Sequence, residues 1–216
     1  MEKAEVVREM ERTRLVAVVR SKSSEEALAT VRGVTEAGVR FVEITLTVPG
    51  ALGLIKDLAR QEGFCVGAGT VLAKDDAEQA INNGARFVVS PTLELDLIPV
   101  CREAGVICVS GAATPTEILT AIRAQADMVK IFPADCLGGP HFVRQMVSPL
   151  PKVRFVVSGG VNRGNVEEYV QLGVTGLALG SAFLADVLAK RGHNGLGSEV
   201  GEFVKLVEKT LIKSNA

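Results

Sequence analysis

A punctuation mark recurs along this chain. A helical run stops on a glycine, a short loop follows, and then comes an apolar run. Glu36-Ala37-Gly38-Val39 precedes Phe41-Val42-Glu43-Ile44, and Asn82-Asn83-Gly84-Ala85 precedes Phe87-Val88-Val89-Ser90. Glu103-Ala104-Gly105-Val106 precedes Ile107-Cys108-Val109, and Gln171-Leu172-Gly173-Val174 precedes Gly176-Leu177-Ala178-Leu179. A glycine just past a helix adopts the left-handed conformation that closes the last turn. Gly63 and Ala126 hold the same place in two further units. The spacing, on the order of 20–25 residues, suits one strand plus one helix.

Counting units gives eight strands, near residues 15–19, 40–46, 64–69, 86–90, 106–110, 127–131, 153–158 and 175–180. Helices are expected near 23–37, 50–61, 74–83, 93–104, 115–124, 139–147, 164–171 and 182–190, with an opening helix near 2–12 and a last one near 198–213. Parallel strands joined by helical crossovers predict an α/β fold: a (β/α)8 TIM barrel, a single domain over residues 1–216 with an N-terminal helix. The competing open, doubly wound sheet would carry a G-x-G-x-x-G turn after its first strand. Arg20-Ser21-Lys22-Ser23 stands there instead.

Composition excludes several classes. Hydrophobic residues make up 47% of the 216, enough for one large core, and 24 basic against 25 acidic residues leave a net charge of −1. With no basic stripe, nucleic acid and anionic membrane surfaces are not expected partners. Met1-Glu2-Lys3-Ala4-Glu5 has no apolar signal core and no apolar run is long enough for a bilayer, so a cytoplasmic location is expected. Cys65, Cys101, Cys108 and Cys136 form no C-x-x-C pair and are expected to be reduced, buried thiols. His141 and His193 stand apart from any second strong metal ligand or serine nucleophile motif, and no cofactor is expected. Acid–base chemistry falls to carboxylates or lysine.

Two charges interrupt strands that otherwise read as buried: Glu43 in Phe41-Val42-Glu43-Ile44, and Lys130 in Met128-Val129-Lys130-Ile131. Parallel strands covered on both faces are near-continuous apolar runs, so each charge needs a reason. Alternation along a strand lets both side chains point into the barrel. A desolvated amine is a nucleophile toward a carbonyl, and a buried carboxylate beside it exchanges protons. The competing reading is a structural ion pair.

In barrels of this kind the chemistry lies at the C-terminal strand ends. Those ends hold Arg20, then Thr45 and Thr47, then Gly69-Thr70, Ser90-Pro91, Ser110-Gly111, Phe132-Pro133, Ser158-Gly159-Gly160 and Gly180-Ser181. The last two turns offer backbone N–H groups after strands seven and eight, where a phosphate cradle is frequent. Arg20 can clamp a carboxylate or phosphate. The turn at Asn162-Arg163 reads as ordinary surface.

Taken in order, Val18-Val19-Arg20, Val42-Glu43-Ile44-Thr45, Gly67-Ala68-Gly69-Thr70-Val71, Ser90-Pro91, Thr114-Pro115-Thr116-Glu117, Lys130-Ile131-Phe132-Pro133-Ala134, Ser158-Gly159-Gly160-Val161 and Gly180-Ser181 resemble one family. It is that of the pyruvate-dependent class I aldolases acting on 2-keto-3-deoxy-6-phosphogluconate (KDPG), its phosphogalactonate isomer or 4-hydroxy-2-oxoglutarate (KHG). The resemblance runs from about residue 14 to about residue 185.

It implies that Lys130 is the Schiff-base lysine and Glu43 the general acid/base. Thr70 matches a residue that helps hold the pyruvyl carboxylate, Phe132 an aromatic beside the lysine, and Gly159, Gly160 and Ser181 the distal phosphate loop. A keto-acid substrate, a homotrimer and no metal are implied as well. Two positions depart from the family pattern. Thr47 stands where many members have a carboxylate-binding arginine, which leaves that task to Arg20 or backbone N–H groups, and Thr92 replaces a glycine after Ser90-Pro91. The activity implied is reversible retro-aldol cleavage. The alternatives are a phosphate-binding barrel that isomerises or transfers groups without a Schiff base, and a catalytically silent barrel.

Overall fold

The computed structural model describes residues 2–214, with the side chains of Ser181 and Ala182 outside that description. Eight strands close into a barrel: β1 (Leu15–Val19), β2 (Phe41–Thr45), β3 (Cys65–Gly69), β4 (Phe87–Val89), β5 (Ile107–Ala112), β6 (Met128–Ile131), β7 (Phe155–Val157) and β8 (Gly176–Leu179). Neighbours in sequence are neighbours in space, every pair is parallel, and β8 returns to β1 through Leu15↔Leu177, Val16↔Ala178 and Ala17↔Leu179. That closure removes the open-sheet alternative.

The helices are α1 (Lys3–Thr13), α2 (Ser24–Glu36), α3 (Ala51–Leu58), α4 (Lys74–Asn82), α5 (Leu97–Glu103), α6 (Pro115–Arg123), α7 (Pro140–Val147), α8 (Val166–Gln171) and α9 (Ser181–Ser214). Gly38, Gly63, Gly84, Gly105 and Gly173 all take positive φ just beyond helices or before strands, as the punctuation required. The unit before β6 differs. There Gln125, not Ala126, takes the left-handed conformation, at φ 70°.

Two boundaries also differ from the sequence reading. Helix α5 begins at Leu97 rather than near 93, because Ser90 and Thr92 bond each other and Thr92 bonds Glu94 in a polar turn. The stretch between residues 190 and 198 is helical apart from one break, at Gly192 with φ 63° and ψ −172°. Its glycines argue for a loop, but Leu196, Val200, Phe203 and Val207 are buried on one face, and Leu196 packs onto the bare Cα of Gly33 in α2. Tertiary packing overrides helix propensity here. Phe183 and Phe203, one on each side of the break, meet edge to face at 5.3 Å.

Two apolar cores result. One lies between the barrel and its helices. The other fills the barrel, where Val16, Phe41, Cys65, Phe87, Val89, Ile107, Val109, Met128 and Val156 pack with Val6 and Met10 of α1. Thus α1 plugs the N-terminal end of the barrel and leaves the C-terminal end open. Of the cysteines, Cys65, Cys101 and Cys108 are buried and all four are free, but Cys136 is exposed, contrary to the expectation of burial. Burial pushes the Cys65 thiol up to about 12. Among the described residues no helix is long and apolar enough to cross a membrane.

Candidate active site

Lys130 lies one residue from the end of β6 and Glu43 two from the end of β2. Both point inward. They line the same small void in the barrel with Met10, Val16, Phe87, Val89, Val109, Val156 and Ala178. Glu43 is 2% and Lys130 5% exposed. Among the described residues neither charged group has a salt bridge or a side-chain hydrogen bond, so the structural ion pair offered as the alternative does not form. The Lys130 Nζ instead stands 5.1 Å from the centre of the Phe132 ring.

Glycines make the room. Glu43 pairs in register with Gly67, whose bare Cα admits the Phe87 ring, and a Cβ at Gly69 would overlap the Glu43 carboxyl. Across the barrel Lys130 pairs with Gly111, whose bare Cα lets the Pro91 backbone fold over the mouth. Burial raises the Glu43 carboxyl above the ordinary carboxylate range, and the positive charges of Lys130 and Arg20 pull it partly back. A carboxyl tuned upward in a closed site suits acid and base duty in turn.

The remaining candidates divide into three groups. Arg20 is exposed at the barrel mouth and its Nη2 donates to Thr70 Oγ1 at 3.2 Å, so these two candidates meet. Thr70 holds φ 57°, a strained value for a threonine. Thr45 is fully buried, donates to the Val19 carbonyl at 3.2 Å and meets the Thr47 hydroxyl at 2.9 Å. Its hydroxyl is engaged in joining β1 to β2, and Thr47 sits exposed above it.

The third group is the far rim. Ser158 is buried and its backbone ties β6 to the loop after it: its N–H donates to Ile131, and its carbonyl accepts from Ala134 at 2.8 Å. Gly159 and Gly160 take φ 98° and 69°. Their Cα faces are not open, because the Asp135 side chain lies against both. What remains for an anion is the backbone: among the described residues the N–H groups of Gly159, Gly160 and Val161 find no protein acceptor. Successive free N–H groups of this kind make an anion-binding concavity. Gly180 is half-buried at the end of β8 and leads into α9, whose first residue, Ser181, has its side chain outside the described atoms.

The sequence reading missed the residues that hold this rim. Asn162 and Asn165 both donate to the Gly160 carbonyl, at 2.8 and 2.9 Å, and Arg163 pairs with Glu199 and Glu202. Asparagines in a loop are a weak signal alone, and the arginine's partners lie 36 and 39 residues away.

Comparison with known proteins identifies the family. A family model described as KDPG and KHG aldolase matches residues 6–194. The chain is 37% identical over 163 residues to a 2-dehydro-3-deoxy-phosphogluconate aldolase of Treponema pallidum, covering 74% of this chain and 77% of that protein. It is 34% identical over 171 residues to a probable 2-dehydro-3-deoxy-6-phosphogalactonate aldolase of Rhizobium meliloti, covering 78% and 80%. A crystal structure described as a 4-hydroxy-2-oxoglutarate and phosphogluconate aldolase superposes with a TM-score of 0.81 at 28% identity, over 98% of this chain and 99% of that one. A charged pair inside a closed barrel, its open rim and these matches lead to one conclusion: the chain belongs to the KDPG and KHG aldolase family, as a carbon–carbon lyase of the class I pyruvate aldolase type.

Proposed function

We propose that the enzyme cleaves 2-keto-3-deoxy-6-phosphogluconate to pyruvate and glyceraldehyde 3-phosphate, with Lys130 as the Schiff-base lysine and Glu43 as the general acid and base. The observation that carries this reading is the burial of an unpaired amine and an unpaired carboxyl against one void. Structural charges inside a barrel would be expected to pair.

In this mechanism the Lys130 amine adds to the C2 ketone. Glu43 in its acid form donates a proton to the departing oxygen, water leaves, and an iminium remains. The Glu43 carboxylate then takes the proton of the C4 hydroxyl while the bond between C3 and C4 breaks. The electron pair of that bond neutralises the iminium and gives an enamine, and the aldehyde departs. Glu43 returns its proton to C3, water adds to C2, and the carbinolamine collapses to pyruvate and free amine. Arg20 and Thr70, hydrogen-bonded at the mouth, hold the pyruvyl carboxylate in place of the missing arginine at Thr47. The free N–H groups of Gly159, Gly160 and Val161, with Gly180 and Ser181, take the distal phosphate.

The relatives bear three substrate names, which supports keto-acid cleavage while leaving the phosphogalactonate isomer and 4-hydroxy-2-oxoglutarate as competitors. Pyruvate release measured on the three compounds ranks them. The family resemblance supports a homotrimer. For the chemistry itself, borohydride added with pyruvate is expected to leave an N-(1-carboxyethyl) group on Lys130 and to stop turnover, and Lys130→Ala is expected to abolish both. A preparation that releases pyruvate but yields an unmodified Lys130 peptide would overturn the mechanism.

A further inference from the structure

The two turns proposed to hold the distal phosphate belong to different elements. Ser158-Gly159-Gly160 leads from β7 toward α8, and Gly180-Ser181 leads from β8 into α9. A cradle shared by two turns works only while their spacing is fixed, since an error of about 1 Å in a recognition geometry is costly. The first turn is held within itself. Asn162 and Asn165 clasp the Gly160 carbonyl, Asn162 Oδ1 accepts the Gly164 N–H at 2.8 Å, and Asn165 Oδ1 accepts the Asn162 N–H at 2.9 Å. None of these bonds reaches the second turn.

Glu199 does reach both. Its Oε2 accepts from Arg163 Nη2 at 2.8 Å, and its Oε1 from Arg191 Nη1 at 2.8 Å. Arg163 follows Asn162 in the β7–α8 turn. Arg191 ends the segment of α9 that begins at the β8–α9 turn, one residue before the break at Gly192. Glu199 itself lies beyond that break. Its side chain is 19% exposed, against 43% for Arg163 and 59% for Arg191, so the carboxylate is the sheltered hub and the arginines are its arms. Arg163 adds a second arm to Glu202 at 2.8 Å. Among the described residues Glu199 is the one side chain paired to both segments.

We infer that Glu199 is a positioning residue for the distal anion: it staples the β7–α8 turn to the first segment of α9, so that the backbone N–H groups of both face one phosphate. This rests on the phosphate reading of those turns given above. Glu199 pairs with neither Lys130 nor Glu43, so its part is in recognition and not in carbon–carbon cleavage.

The test is Glu199→Gln, which keeps the shape and removes the charge. With 2-keto-3-deoxy-6-phosphogluconate, KM is expected to rise roughly 3- to 10-fold, the range of a modest coupling between sites, with kcat nearly unchanged. The unphosphorylated 2-keto-3-deoxygluconate should show no rise in KM, and pyruvate trapping on Lys130 should stay at the level of the parent. Amide hydrogen exchange across residues 159–165 should quicken, and Glu199→Asp should restore part of the loss. Arg163→Gln, which cuts one arm, serves if Glu199→Gln does not fold. If the parent prefers the phosphorylated substrate and both variants keep that preference with unaltered exchange, the staple is refuted while the phosphate reading stands. If the parent shows no preference for phosphate, the phosphate reading itself falls, and the role of Glu199 in it falls too.

Discussion

Glu43 occupies a place that a bare position on the next strand, Gly69, creates. Gly67 faces it in register, and any side chain at Gly69 would collide with its carboxyl. The carboxyl gains room but no hydrogen-bond donor, so burial dominates and its proton is held more tightly than in water. The sign of the consequence follows from linkage. Unfolded, the group titrates near its ordinary value of about 4.3. Folded, it keeps its proton to higher pH, so stability falls as pH rises from the unfolded value through the folded one. Glu43→Gln is therefore expected to be more stable than the parent at pH values above that window, with the gain fading as pH drops below about 4.3. Each unit between the two values is worth about 1.4 kcal/mol. Turnover should meanwhile fall about 10²- to 10⁴-fold, the usual worth of a positioned acid or base. Urea midpoints across pH and the rate of pyruvate release read the two effects apart, and a stability gain that grows in acid would contradict the assignment.

At this scale Lys130 and Glu43 were legible in the sequence because a charge inside an apolar strand is costly and period-two alternation sends both inward. The bond that Thr45 makes was not: its hydroxyl donates to the Val19 carbonyl, a partner that only the closed barrel provides. The turn at Gly159-Gly160 was legible from its glycines, but the Asp135 side chain filling its Cα face was not.

Among the elements, α6 shows a motif whose local job is mechanical. Thr114-Pro115-Thr116-Glu117 is part of the family pattern, and in the fold it is a capping box. The Thr114 hydroxyl accepts the Glu117 N–H at 3.3 Å, and Glu117 Oε2 takes the N–H groups of Ala113 and Thr114 at 2.9 Å each. Pro115 adds a residue pre-shaped for a first helical turn. Thr114→Ala should then cost about 1 kcal/mol and lower Tm by about 2–4 °C while sparing kcat. The Ala113 N–H, followed by the Thr114 hydroxyl, holds the Glu117 carboxyl below its ordinary value, so this support is present above that value and lost as pH falls through the folded one. The deficit of the variant in thermal melts should shrink in acid. A loss of kcat without a loss of Tm would make the box a substrate contact after all.

Element boundaries were read from the sequence wherever local chemistry decides them, as at the glycines beyond α2, α4, α5 and α8. They were misread where packing decides. Nothing near Gly192 announces that Leu196 and Phe203 will bury themselves and keep α9 going. Nor does a glutamine before β6 announce a left-handed residue where a glycine was sought.

Across the whole molecule α1 seals one end of the barrel, while the proposed chemistry belongs to the loops at the other end. The separation is incomplete, and Met10 is where the two meet. It is 1% exposed, belongs to the plug, and borders the same void as Glu43 and Lys130. Truncating it should act twice. Loss of the side chain from a filled interior should destabilise by about 2–5 kcal/mol. The enlarged void has polar groups on its walls, so water can enter it, unlike a purely apolar hole. Water beneath Glu43 weakens the desolvation that holds its carboxyl up, and Lys130 and Arg20 then pull it further down. Met10→Ala should therefore shift the acid limb of the pH–rate profile to lower pH, although residue 10 lies at the sealed end, away from the substrate. Met10→Leu, which nearly conserves volume, should move neither Tm nor the limb by much. An alanine variant that is destabilised but keeps the parent's acid limb would mean that the dryness around Glu43 is set from the substrate side alone.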